Sequence, residues 1–434
     1  MQKSMKMNEK KKITGIFSNN GNEYSFVMSD FEITILYNGK NIEEKEIIPE
    51  EGYIHVESYD CKRYLIAISK SVKIIFSVNV IFDFYIESYN DMISYEFSGI
   101  EFLGGSINDI IAKNRLGIPK NKKGVFEVPY DENEQVKKYN IQSDNLTAVL
   151  TLNSLIDATL DFEEGKEIIA DGNKYIELHL ELKLNEVVKH FNYIIRIIKI
   201  LTYRDNVGDF KTFLLKEDKR VAECHYKFRN MYKSNKRRGE SICLDWLNEE
   251  QINKLFSVIL KSDKYGFSID FLQTDEKMHD VEKERIINLV TGIESLLNII
   301  QEDFASKHAE LIKSLKSIIN NDSSLDVKEK NDINGYISHI NKGIKDRIKE
   351  EFNKNKETLE KWMKLHAMEI DNRDSIIDDM IEYRNHHVHN DIGDLTPELA
   401  NNSTLFDIMI YCFLLKYIGL DEKKIEYILE ICIV

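Results

Sequence analysis

The chain has 434 residues, 42% of them hydrophobic, with only 19 Gly and 4 Pro. This composition excludes a collagen-like or Pro/Gly-rich disordered chain, and the length predicts two or three domains of about 150 residues each. The 59 Lys and Arg residues against 74 Asp and Glu residues give a net charge of −15. A protein that coats nucleic acid through bulk electrostatics is therefore excluded, and any nucleic-acid contact has to be local.

Neither a membrane span nor a disulfide framework is indicated. No run of about 18 apolar residues occurs, and the lysine-rich stretch that ends at Lys12 has no apolar segment behind it. We therefore expect a soluble, cytoplasmic protein without a membrane partner. The five cysteines are scattered and show no C-x-x-C spacing, which predicts reduced thiols rather than disulfides or a zinc knuckle. They are Cys61, Cys224, Cys243, Cys412 and Cys432.

The chain from about residue 13 to residue 185 is dominated by the period of two that is typical of β-strands. Apolar and polar residues alternate over residues 176–184, directly after the turn signal Asp171-Gly172-Asn173. Similar or nearly continuous apolar stretches occupy residues 24–37, 64–69, 72–85 and 146–152. We expect an antiparallel β-rich domain, either a sandwich or an open barrel.

Apolar spacings of three and four then predict a helix over residues 187–201 that closes the sheet region, and residues 211–232 return to a strand-like pattern. The most basic stretch of the chain follows and contains Lys236, Arg237 and Arg238. A short charge run is typical of a solvated loop. A local basic patch in an acidic chain is also suited to phosphate contact, and both interpretations stay open.

Helical periodicity prevails from Asp245 onward, and Thr396-Pro397 and Gly419 are typical of a helix start and a helix end. The fold class is therefore α+β. An antiparallel β-rich N-terminal domain with a closing helix occupies residues 1–240, and a helical region occupies residues 241–434, with its bundle at about 280–434. The predicted helices lie at residues 248–261, 281–301, 305–319, 327–352, 356–368, 375–389 and 404–417.

The densest chemistry lies at residues 383–390, where three of the 11 histidines follow an arginine. An RNA phosphodiester that is cut by its own 2′-OH needs a group that moves protons near neutral pH. It also needs a fixed cation for the charge that develops on the phosphoryl oxygens, and polar groups that hold the phosphate. His389, Arg384 and Asn385 supply these three functions. We expect no metal ion and no other cofactor.

The helical spacing favours a site that two chains share. Asn385 and His389 lie on one face of a helix, whereas Arg384 and His389 are about 140° apart. One chain alone therefore orients the guanidinium and the imidazole poorly. Two copies of the helix that meet across a twofold axis place both groups around one cleft, so the spacing predicts a homodimer.

Two other interpretations of the same residues stay open. Glu382, His386 and His389 are spaced by four and three, so they project from one face in the way that ligands of zinc, manganese or iron do. A fourth ligand is not evident in the sequence. Alternatively, a histidine-rich helix end caps carbonyl groups and interacts favourably with the helix dipole.

Arg384-Asn385 followed by His389 matches the R-N-x-x-x-H motif of HEPN domains, and the chain resembles this family of helical bundles, which often act as dimeric, metal-independent ribonucleases. The surroundings of the motif are similar as well. Residues 286–297 form an apolar helix with a single acid, Glu294, as in the first HEPN helix. Residues 412–420 are similar to the closing helix of the family.

The resemblance implies a role for each residue of the motif. Arg384 clamps the phosphate and the transition state, His389 transfers the proton, and Asn385 orients the phosphate or His389. His386 and His387 are more basic than the apolar residues that usually separate Arg and His in this family. The assignment of proton transfer therefore stays open between His387 and His389.

A second group of residues is expected to bind RNA or to support the site. Glu294 is placed to face the motif, but its position next to Ile293 leaves a solvent-facing orientation equally open. The other members of this group are His386, His387, Lys236, Arg237 and Arg238.

The layout of a β-rich half followed by a C-terminal HEPN bundle resembles the anti-phage proteins of the ApeA type. This resemblance implies an abortive-infection effector that cuts host or phage RNA, with transfer RNA as one option. The β-rich half is expected to sense an unknown phage trigger or to restrain the nuclease. The competing expectation is a catalytically inert HEPN bundle that binds a protein or a nucleotide.

Overall fold

The computed structural model describes residues 12–19, 21–37, 53–67, 70–74, 77–89, 95–111, 136–143, 146–154, 174–203, 207, 210–227, 241–267, 283–338, 343–369, 372–388 and 395–432. The strands lie in the N-terminal half and most helices in the C-terminal half, which confirms the predicted α+β class. The chain forms two compact units. The first comprises Met1–Asn140, Thr147–Asn192 and Gly208–Lys233, and the second comprises Ile141–Leu146, Tyr193–Val207 and Ser234–Val434.

The described strands form one antiparallel sheet. They are β1 (Ile13–Asn19), β2 (Asn22–Ser29), β3 (Glu32–Leu36), β4 (Tyr53–Ser58), β5 (Arg63–Ala67), β6 (Lys70–Ile74), β7 (Ser77–Ile81), β8 (Phe84–Ser88), β9 (Glu96–Leu103), β10 (Lys137–Ser143), β11 (Leu146–Ser154), β12 (Lys174–Lys183), β13 (Lys211–Lys216) and β14 (Lys219–Tyr226). Their order in the sheet is β10-β11-β12-β9-β13-β14-β8-β5-β4-β1-β2-β3-β7-β6. Every pair with a described register is antiparallel, as the period of two predicts.

At two places the sequence pattern predicts one continuous strand where the structure has two strands separated by a two-residue turn. The continuous pattern of residues 24–37 is divided into β2 and β3 by Asp30 and Phe31, whose φ angles are 49° and 63°. Glu217 and Asp218 divide β13 from β14 with φ angles of 52° and 58°. Two successive positive φ angles make the tight hairpin turn that usually carries Asn-Gly. Neither turn has that signal, so the sequence does not reveal it.

The longer helices are α1 (Val187–Thr202), α2 (Glu249–Tyr265), α3 (Lys283–Ile300), α4 (Glu302–Asn321), α5 (Val327–Ser338), α6 (Ile344–Lys354), α7 (Lys356–Leu365), α8 (Arg373–Val388), α9 (Pro397–Ile418) and α10 (Glu422–Cys432). The prediction of one helix over residues 327–352 is wrong, because the extended backbone of Gly343 begins a separate helix, α6. α10 is not among the predicted helices. Within the described part of the chain, no helix combines the length and the apolar character that crossing a bilayer requires.

The helix α9 organises the second unit. Thr396 caps it by accepting the Leu399 N–H at 3.2 Å, and Gly419 ends it with a φ of 98°, so both sequence signals are confirmed. α9 packs against α2, α3, α7, α8 and α10. Its Tyr411 hydroxyl also donates to the Ile200 carbonyl at 2.9 Å. The C-terminal part of α1 thus packs within the same unit as α9.

A buried ion pair joins α3 to α9 within this helical unit. Arg285 of α3 donates through Nη2 to Oδ2 of Asp407 of α9, and the two side chains are 6% and 0% exposed. The attraction between buried charges offsets their desolvation only when both partners are present. The pair therefore couples the position of α3 to that of α9.

Asp407→Asn is expected to lower the free energy of unfolding by about 3–5 kcal/mol, because it removes the carboxylate that offsets the buried charge of Arg285. Urea denaturation followed by circular dichroism measures this loss. The control is the double variant Arg285→Met/Asp407→Leu, which removes both charges and is expected to lose less stability. A single variant as stable as the wild type would contradict the buried pair.

Candidate functional site

The burial pattern of α8 explains where Arg384 points. Ile377 and Ile381 are buried and four positions apart, and Arg384 follows Ile381 by three. The three side chains therefore share the face that α8 turns toward the bundle. Asn385 and His386 are exposed. Arg384 thus lies at the border between the core and the surface.

The helix α3 presents Glu294 to this border. Ile293 and Leu297 are buried, whereas the Glu294 side chain is 30% exposed. Nη2 of Arg384, whose side chain is 25% exposed, donates to Oε2 of Glu294 at 2.8 Å. The sequence leaves open whether Glu294 faces the motif or the solvent. In the structure, Glu294 faces Arg384.

A second hydrogen bond holds the same guanidinium, since Nη1 of Arg384 donates to Oδ1 of Asn385 at 3.1 Å. A guanidinium has five N–H donors in a planar fork, and these two bonds use two of them. The remaining donors match the geometry of phosphate oxygens. The arrangement is therefore an oriented cation at a helix end, next to an exposed amide.

Several predicted site residues lie outside the described residues. These are His389 and the basic residues Lys236, Arg237 and Arg238, together with the side chain of His387. Their roles, and the choice of the residue that transfers the proton, stay predictions.

His386 is exposed and lies on a different side of α8 from Arg384, because two positions correspond to about 200° of rotation. Glu382, one turn earlier, is exposed as well. Within the described residues, which do not include His389, no group of three or more His, Cys, Asp or Glu side chains is arranged to hold a metal ion.

The helix α6 contributes Arg347, which the sequence analysis does not single out. Nη1 of Arg347 donates to Oδ1 of Asn298 and its Nε donates to Oε1 of Gln301, both at 3.0 Å. Arg347 is 9% exposed. Burial lowers the pKa of its guanidinium, and the negative charge of Glu294 opposes that shift. A second guanidinium therefore lies near the carboxylate that anchors Arg384.

Two lysines of α6 also bind α8. Lys345 and Lys349 reach the two carboxylate oxygens of Asp378 at 2.6 Å and 2.8 Å. The hydrogen bond with Asp378 raises the pKa of Lys345. In the sequence these residues lie in a stretch of alternating charge that is typical of a solvated helix face. No local pattern distinguishes them from solvated charges.

Comparisons of the chain with known protein families, with curated proteins and with solved structures find no match. Interpretation of the site therefore depends on its own residues. Among the described residues, Arg384 binds Asn385 and Glu294, and Arg347 binds Asn298 and Gln301 farther along the same helix as Glu294.

A double-mutant cycle between Arg384→Met and Glu294→Gln is expected to give a coupling free energy of about 0.5–1 kcal/mol, because water screens a partly exposed ion pair. Urea unfolding of the four proteins measures it. Glu360 pairs with Arg373 instead, at 3.0 Å, so Glu360→Gln combined with Arg384→Met provides the control and should be additive. Zero coupling between Arg384 and Glu294 would contradict the contact.

Proposed function

We propose that the protein is a metal-independent endoribonuclease of the HEPN type that acts in anti-phage abortive infection. RNA is the proposed substrate, with transfer RNA as one option. The observation that supports this proposal most directly is the anchoring of Arg384 by Glu294 and Asn385. It supplies an oriented cation at the position where the R-N-x-x-x-H motif requires one.

In the proposed reaction the 2′-oxygen of RNA attacks the adjacent phosphorus while the bond to the 5′-oxygen breaks. A base takes the proton of the 2′-OH and an acid protonates the leaving 5′-oxygen, which yields a 2′,3′-cyclic phosphate and a 5′-OH. Arg384 offsets the negative charge on the non-bridging oxygens, and Asn385 orients the phosphate. His389 transfers the protons, with His387 as the alternative.

The proposed active form is a homodimer. In a continuous helix, positions five apart are separated by about 140°, so the sequence predicts that one chain alone does not aim Arg384 and His389 at the same phosphate. A twofold axis brings the guanidinium of one copy to the imidazole of the other. The β-rich unit senses the phage trigger or restrains the nuclease, as the resemblance to the ApeA type implies.

The purified protein is expected to cut RNA in excess chelator and to leave 2′,3′-cyclic phosphate ends. Arg384→Ala and His389→Ala should each lower the cleavage rate by at least about 100-fold, because each removes charge stabilisation or proton transfer in the transition state. Gel analysis of labelled RNA measures the rates. His387→Ala, assayed in parallel, distinguishes the two candidate proton carriers.

Two control variants test whether a loss of cleavage comes from lost catalysis or from lost folding. Arg373→Ala removes another arginine of α8, and His366→Ala removes a histidine that stacks on Trp362 of α7. Both controls should keep their activity, and all variants should melt within a few degrees of the wild type. Unchanged cleavage by Arg384→Ala or His389→Ala would contradict the assignment. Tight RNA retention without cleavage would instead indicate an inert binding bundle.

A further inference from the structure

The carboxylate that anchors Arg384 belongs to a longer polar face. Glu294, Asn298 and Gln301 follow one another at spacings of four and three, along α3 and the residue after it. The Gln301 N–H donates to the Leu297 carbonyl at 2.9 Å, so Gln301 closes the last turn of α3. Arg347 binds the two amides of this face at 3.0 Å each. Arg347 is therefore bound one helical turn along α3 from Glu294, and the Cβ atoms of Glu294 and Asn298 lie about 5–6 Å apart.

These groups leave an excess of positive charge next to the proposed phosphate position. Arg384 and Arg347 each carry one positive charge. Among the described residues, Glu294 is the carboxylate that pairs with Arg384 and also interacts electrostatically with Arg347. The hydrogen-bond partners of Arg347 on α3 are neutral amides. Glu350 also acts on Arg347, but it is 46% exposed and pairs with Lys354 at 3.5 Å. Solvent therefore screens its effect more strongly than that of Glu294.

We propose that Arg347 is a positioning residue of the ribonuclease site. It binds Asn298 and Gln301 on the polar face of α3, and its positive charge offsets part of the negative charge of Glu294, which pairs with Arg384. As a result Arg384 is anchored without being neutralised, and the site keeps the net positive charge that attracts a phosphate. This inference rests on the proposed function, since the phosphate is that of RNA.

The affinity for a phosphate-bearing ligand provides the readout. The probe is a fluorescent, fully 2′-O-methylated oligoribonucleotide, which has no 2′-OH and is not cut. For an assumed separation of about 7 Å, a unit charge changes the affinity for a phosphate by about three-fold to fifty-fold, for dielectric constants between about 80 and 20. Arg347→Met should weaken binding within this range. Arg347→Lys retains the charge and should recover most of the affinity.

A second variant separates charge from structure. Asn298→Asp adds a carboxylate directly beside Arg347, so it cancels the excess charge while Arg347 stays in place. It should weaken binding as much as Arg347→Met does, without a lower melting temperature, because the new carboxylate pairs with the guanidinium. A purely structural role for Arg347 predicts the opposite. In that case Asn298→Asp binds normally and Arg347→Lys is as defective as Arg347→Met.

The outcomes distinguish this inference from the proposed function. Arg373→Met removes a cation of α8 that has its own partner, Glu360, and it should bind the probe like the wild type. If Arg347→Met and Asn298→Asp also bind like the wild type while cleavage still requires Arg384, the inference is overturned and the nuclease assignment stands. If the wild type neither cuts RNA nor binds the probe, both fail.

Discussion

The ion pair between Arg384 and Glu294 is the interaction on which the candidate site depends, because it fixes a guanidinium at the point where α3 and α8 meet. The pair is partly exposed and contributes little to stability. Its geometry is set by buried contacts elsewhere, above all Arg285 with Asp407, which locates α3 against α9. Arg384 therefore keeps this orientation only while α8 stays packed against α3.

The fold was predictable where one local signal dominates. The alternation over residues 176–184 corresponds to β12, and Thr396 and Gly419 mark the two ends of α9. The turn at Asp30 was not predictable, because its backbone needs two positive φ angles and its residues carry no glycine signal. The order of the strands in the sheet was not predictable from the sequence either. Pairing between distant strands depends on tertiary contacts, which the period of two does not encode.

The candidate site was predictable in part. The motif identified Arg384 and Asn385, but the sequence left the orientation of Glu294 open, because its face depends on which side of α3 the bundle buries. Arg347 had no sequence signal. It lies among charged residues that resemble a solvated surface, and only the packing of α6 against α3 makes it buried. A helical period indicates which residues share a face, but not which helix that face will meet.

A mixing experiment with Arg384→Ala and His389→Ala tests most directly whether two copies share one site. In a mixed dimer, one of the two Arg384–His389 pairs formed across the axis combines the intact arginine of one copy with the intact histidine of the other. After subunit exchange, mixing two inactive variants is therefore predicted to restore about a quarter of the wild-type cleavage rate. A mixture that stays as inactive as either variant alone would contradict a shared site.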